Sequence, residues 1–221
     1  MKLVSELFQE TLEFNEGEVL SLVIENRKLM LDFLKKLYSQ INGEDGDIVL
    51  SKDNEIMKIQ KMVELITTFV PFEINEKRLL TKINGLLEKE AVNEIYYNKT
   101  MLLLSEIERY VNDLSDFFSY SFEYKGINAA SLIKMCGINI CDDSINDVER
   151  VINYMSIVQD LLGEKLFVFV NMSLFFEHKD LQGFIDTVNA YKYNVLLIDG
   201  VETVKLSGIR RLIIDKDLCI I

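Results

Sequence analysis

The stretch 165–200, KLFVFVNMSLFFEHKDLQGFIDTVNAYKYNVLLIDG, constrains the fold more than any other part of this chain. It opens with an unbroken apolar run at 166–170 and closes with a second at 195–198. Between them Leu181, Phe184, Ile185 and Val188 recur at i, i+3, i+4 and i+7, which is one face of a helix. Two fully apolar strands joined by a helical crossover predict a β-α-β unit. Strands apolar on both faces belong in a parallel sheet covered by helices. Such a sheet commonly carries nucleotide chemistry, so this stretch asks whether a working nucleotide site accompanies it.

The chain supports a full core around that unit, with 221 residues and 49% hydrophobic side chains. Cys136, Cys141 and Cys219 are odd in number and lack metal-ligand spacing, as expected of reduced cysteines in a cytoplasmic protein. The N-terminal MKLVSELFQE carries acid where a signal peptide would have its apolar core. The longest uncharged apolar run, 166–176, is far short of the ~20 residues a spanning helix needs. No membrane association is expected. A net charge of −12 opposes nucleic-acid binding unless lysines cluster on one surface.

Short alternating runs at 3–8 and 11–14 and an apolar run at 19–24 predict N-terminal strands around an Asn15-Glu16-Gly17-Glu18 turn. A helix follows, with Leu31, Leu34, Leu37, Tyr38 and Ile41 on its expected inner face. From 54 to 118 the periodicity reads as helical. Ile56, Ile59, Met62, Val63, Ile66 and Phe69 form one stripe, interrupted by Pro71. Asn75 is the expected N-cap of a second helix, and Leu104, Ile107, Val111, Leu114 and Phe118 mark a third. Beyond it a short helix around 131–137, a strand at 138–141 and an amphipathic helix closed by Gly163 are expected. The apolar runs 211–214 and 218–221, separated by Asp215-Lys216-Asp217, predict a terminal hairpin. The expected fold class is therefore α/β. A mainly parallel sheet flanked by helices occupies a discontinuous head at 1–48 and 123–221, with an all-helical leg inserted at 49–122.

Catalytic signatures do not accompany this scaffold. A phosphate loop would follow the strand at 19–24, yet Glu25-Asn26-Arg27-Lys28-Leu29-Met30 has no glycine and places an acid where phosphate would sit. The strand at 166–170 ends in Asn171, not in an acid for Mg²⁺. Asp199 is the one acid suitably placed after the next strand, and it serves equally as a turn former before Gly200. His178 is the only histidine, which excludes a multi-histidine metal site, and it is expected to cap or pack at the start of its helix. Asp142-Asp143 and Asp215/Asp217 read as solvated turns. Arg27 and Lys28 lie in this glycine-free stretch, where they are open to a subunit contact.

The order of these pieces resembles the small CRISPR adaptation proteins of type II-A systems, the Csn-two family. The resemblance rests on Phe122-Glu123-Tyr124 with Ile127, on Leu132-Ile133-Lys134 with Gly137, and on Leu166-Phe167-Val168-Phe169-Val170-Asn171. It continues through Val195-Leu196-Leu197-Ile198, Ile214-Asp215-Lys216-Asp217 and Phe72-Glu73-Ile74-Asn75. It implies a degenerate P-loop-ATPase-like head without catalysis, and a helical leg. It also implies a homotetrameric ring that binds linear double-stranded DNA ends without sequence preference. In antiviral defence such a ring supports spacer acquisition beside the CRISPR integrase subunits and the guide-RNA nuclease. Structural Ca²⁺ is implied where leg meets head, with Asp113, Asp116 and Glu123 as ligands and Glu106 and Glu108 one or two turns earlier. After Glu123-Tyr124, however, this chain has Lys125-Gly126 where relatives carry more acid. The DNA-binding candidates are Lys52, Lys58, Lys61 and Lys134, each of which serves equally well as part of a solvated face. The alternative reading is a divergent nucleotide-binding P-loop-like enzyme using the loop at 25–30.

Overall fold

The computed structural model describes residues 1–8, 10–120, 122–123, 125–202 and 206–221. Tyr124, one of the residues carrying the resemblance, lies outside them. The chain divides into two compact units, Met1–Phe72 with Ser144–Ile221, and Glu73–Asp143.

In the first unit the apolar runs become strands β3 (Val19–Ile24), β6 (Val63–Ile66), β7 (Leu166–Val170), β8 (Asn194–Asp199) and β9 (Ile209–Ile214). They form one sheet in the order β6-β7-β8-β3-β9, and every neighbouring pair is parallel. Helix α7 (His178–Ala190) makes the crossover from β7 to β8, so the β-α-β unit forms as its periodicity predicts. All residues of β3, β7 and β8 are buried, which explains why their sequences do not alternate. On one face Phe169 meets Phe184 of α7 edge-on at 5.3 Å. The flanking helix α6 (Asp147–Leu162) buries Val151, Tyr154, Met155 and Val158. Asn146 caps its start by accepting a hydrogen bond from Glu149 N, and Gly163 ends it at φ 79°.

On the other face Leu20, Leu22, Leu196 and Ile198 share a core with helix α1 (Arg27–Ile41) and with a small antiparallel sheet. That sheet runs β2-β1-β4-β5, from β1 (Lys2–Val4), β2 (Leu12–Glu13), β4 (Val49–Lys52) and β5 (Glu55–Met57). Its inner residues Leu3, Leu12 and Leu50 are fully covered, each contributing roughly 1.5–3 kcal/mol of transfer free energy.

Several expectations are corrected here. The helical stripe beginning at Ile56 is instead strand β5, one short helical turn α2 (Ile59–Met62) and strand β6. Asp53 and Asn54 both take positive φ, 52° and 65°, between the paired residues Lys52 and Glu55. This two-residue turn folds β4 back on β5, because Asp and Asn tolerate the left-handed region that such a turn requires. Ile56 is 80% exposed, and β6 is held by its parallel pairing with β7. Residues 49–72 thus belong with the sheets and not with the helices.

Helix α1 is also turned relative to the expected face. Phe33 and Leu37 are buried, while Leu31 and Tyr38 are 51% and 63% exposed. The Phe33 ring packs edge-on to Phe8 at 4.7 Å, and burying that larger ring sets the rotation.

The second unit contains helices α3 (Lys77–Ala91), α4 (Tyr97–Ser115) and α5 (Ala129–Met135). Glu76, not Asn75, occupies the cap position of α3. Asn75 instead accepts from Ile140 N at 2.7 Å and donates to Ile140 O at 3.2 Å. A side-chain amide therefore takes the place of a neighbouring strand, and 138–141 is not a strand. Among the described residues no helix is long and apolar enough to cross a membrane.

The rotation of α1 is testable by urea denaturation. Leu37→Ala should cost ~2–5 kcal/mol of stability. Leu31→Ala should change stability by no more than about 0.5 kcal/mol. Equal losses would return Leu31 to the core.

Candidate functional site

A parallel sheet binds its ligands at the carboxyl ends of its strands. Here those ends are furnished by β3, β8 and β9. After β3, Glu25 N donates to Ile214 O at 2.9 Å, joining the loop to the end of β9. Asn26 then caps α1, its Oδ1 accepting from Leu29 N at 3.0 Å. Its Nδ2 donates to Lys216 O at 2.9 Å in the terminal turn. Asp215 organises that turn by accepting from Asp217 N and Cys219 N at 2.9 and 2.8 Å. Main-chain bonds between Ile213 and Ile221 complete the hairpin read from the sequence. The first amides of α1 thus receive a side chain of this chain where a phosphate loop would offer them to a ligand. Gly200, after β8, lies against Met30, whose Sδ is 3.4 Å from where a Cβ would stand. Sequence reading passed over Asn26. Its signal is an Asn directly before an apolar-periodic segment.

Asn171 has a backbone explanation. It takes φ 55° and ψ 33°, a left-handed conformation that Asn accepts more readily than most side chains. Asp199 is neither exposed nor a turn former. It is the buried last residue of β8 and accepts from Ser173 Oγ at 2.5 Å. Burial pushes its carboxyl above the ordinary carboxylate value, against the lowering pull of the Ser173 hydrogen bonds and the Arg211 charge. Arg211 is itself ion-paired with Glu202. Ser21, Asp199, Glu202 and Arg211 line a narrow recess beside the sheet.

The lysines selected from the sequence divide between the units. Lys58 stands at the cap position of α2 and Lys61 in its last turn, both exposed and one helical turn apart. Among the described residues neither takes part in an ion pair. Lys52, on β4, is ion-paired with Glu164, whose hydrogen bond holds the ammonium above the ordinary lysine range. Glu164 also accepts from Asn194 Nδ2 at 3.0 Å. The buried Lys165 donates to the carbonyl of Lys61, a support that sequence reading missed. Lys134 is exposed in the last turn of α5, in the second unit.

Asp113 lies on α4, Asp116 at its C-cap, and Glu123 beyond it. Among the described residues no three His, Cys, Asp or Glu side chains gather into a group that could hold a metal. Ca²⁺ takes six to eight oxygen ligands, so these three acids do not form its site by themselves. Glu123 instead borders an apolar recess of about 340 Å³ lined by Val111, Leu114, Phe118 and Phe122.

Comparison with known proteins follows the same lines. The family model for CRISPR-associated protein (Cas_Csn2) matches residues 40–218. The CRISPR-associated protein Csn2 of Streptococcus agalactiae is 22% identical over 207 residues, covering 90% of this chain and 89% of that protein. The crystal structure of Stu0660 of Streptococcus thermophilus superposes with a TM-score of 0.51 at 16% identity. It covers 91% of this chain and 69% of that one, a likeness of fold.

The buried carboxyl yields a pH prediction. Because folding raises the Asp199 pKa, its contribution to stability is full below the unfolded-state value and is lost as pH rises through the folded one. Asp199→Asn should therefore gain stability relative to the original chain as pH rises through and above the ordinary carboxylate range. Denaturation at several pH values checks this, and a pH-independent difference would contradict it.

Proposed function

Since the chain belongs to the Csn2 family of CRISPR-associated proteins, we propose that it is a non-catalytic, ring-forming protein that binds linear double-stranded DNA by its ends, without sequence preference, and supports spacer acquisition. The observation that carries the DNA reading is the exposed pair Lys58 and Lys61, set one turn apart on a chain of net charge −12. Sequence-independent binding rests on phosphate contacts made by lysines, with little base readout. A ring gathers such lysines from several copies at its hole, while the acidic remainder disfavours DNA elsewhere. Lys134 adds to this set. Lys52 contributes less in this reading, because Glu164 already neutralises it.

The head is read as P-loop-like with its chemistry lost. Supporting this are the all-parallel sheet, the Asn26 cap tied to Lys216, and the Met30–Gly200 packing where nucleotide would lie. The second unit is read as the leg. The integrase subunits and the guide-RNA nuclease are the proposed protein partners. Calcium is proposed as an ion of the assembled ring, with ligands from more than one chain, because among the described residues of one chain no three acids gather into a metal-holding group.

A gel shift with linear and covalently closed duplexes tests the reading. Linear DNA should bind, closed circles should not, and affinity should fall as salt rises. Lys58→Glu with Lys61→Glu should weaken binding about tenfold or more while the oligomer persists. Equal binding of closed circles would contradict threading, and unchanged affinity would remove these lysines from the site. EDTA should reduce the oligomeric mass, and an unchanged mass would remove calcium from the assembly.

A further inference from the structure

Residues 164 and 165 directly precede β7 and reach two lysine-bearing segments at once. β6 and β7 begin their parallel pairing at Val63 and Leu166, which sets Lys165 beside the end of α2. The buried Lys165 ammonium donates to the Lys61 carbonyl. α2 is a single turn whose last carbonyls lack acceptor roles inside the helix, and a cation is favourable at that end. One residue earlier, Glu164 pairs through Oε2 with the ammonium of Lys52 on β4. Consecutive residues thus contact Lys52 and the α2 turn. They bring the lysine of the small sheet into the same part of the first unit as Lys58 and Lys61, a neighbourhood that sequence spacing does not reveal.

These lysines differ in one respect. Among the described residues Lys58 and Lys61 take part in no ion pair, whereas Lys52 is held by an acid. That acid is itself fixed: Glu164 Oε1 accepts from Asn194 Nδ2 at 3.0 Å, and Asn194 is the buried first residue of β8. Asp53 and Glu16 add negative charge around the same ammonium, and Glu16 is also paired with Lys192 at 3.0 Å. The Lys52 side chain is still 37% exposed, so a phosphate oxygen has access to it.

We propose that Glu164 is a positioning residue of the DNA surface: it withholds Lys52 from phosphate, so that the duplex meets Lys58 and Lys61 without a third lysine beside them. The proposal rests on the DNA-binding reading and adds a residue that limits it. Carboxylate and phosphate oxygens compete for the same ammonium donors. The Glu164 carboxylate is already in place through Asn194, while a phosphate would have to displace it. Each phosphate contact withheld makes binding weaker and less dependent on salt.

Lysine footprinting of the full chain tests this, with acetylation read by mass spectrometry in the presence and absence of a linear duplex. In the original chain the duplex should protect Lys58 and Lys61 and leave Lys52 unchanged. In Glu164→Gln, whose amide oxygen can still accept from Asn194, the duplex should protect Lys52 as well, and affinity should rise about threefold at low salt. Protection of Lys52 in the original chain would overturn the proposal. So would tighter binding by Glu164→Gln with Lys52 still unprotected, which would make Glu164 only a distant negative charge. In both cases protected Lys58 and Lys61 would leave the DNA-binding reading standing. Protection of Lys52 only in Glu164→Gln, with Lys58 and Lys61 reacting freely throughout, would support the withholding and remove the α2 pair from the site. Failure of both the original chain and Glu164→Gln to bind duplex would overturn the proposal and the DNA-binding reading together.

Discussion

The constraint on which the first unit depends is that β3, β7 and β8 are apolar on both faces and must be covered twice. Helices α6 and α7 cover one face. The other is covered by α1 and the small antiparallel sheet in a continuous core. This second cover accounts for the placement of 49–57, which must supply β4 and β5 before the chain returns to the parallel sheet through β6. An isolated β-α-β unit would leave one face of its strands in water.

At the carboxyl ends of the strands, where a parallel sheet would present chemistry, the chain uses its own groups. Asn26 spans the α1 cap and the Lys216 carbonyl, and Met30 lies against Gly200. Asp199 is buried under a Ser173 hydrogen bond, and its raised carboxyl pKa reflects that burial. The exposed lysines of α2 stand apart from this region in sequence, on the segment that joins the two sheets. Fold and proposed function therefore use different parts of the molecule.

Elements whose residues are committed to one burial pattern were legible in the sequence. The 166–200 unit formed as expected because its strands are uniformly apolar and its helix has a single clean stripe. So did α6, bounded by Asn146 and Gly163. Segments where two patterns coincide were not legible. Ile56, Ile59, Val63 and Ile66 fall at helical spacing by accident of a strand, a turn and another strand, and the Asp53-Asn54 pair was the local signal against a helix. In α1, Phe33 outweighed the neighbouring leucines. Asn75 has the side chain of a helix cap but satisfies main-chain groups 65 residues away, a long-range choice that no local window contains. In α4 apolar residues fall on more than one side of the helix, and the burial of Thr100 and Leu104 marks the inward one. The candidate acids 113, 116 and 123 are close in sequence, and among the described residues they form no metal-holding group of three within one chain.

The central claim is that an ATPase-like scaffold has become a DNA-binding ring component whose nucleotide position is filled by its own chain. Parallel calorimetric titrations of magnesium–ATP and of a linear duplex into one preparation test it most directly. The account predicts binding heat from the duplex and none from the nucleotide. Micromolar ATP affinity that Arg27→Ala or Lys28→Ala abolishes would contradict it.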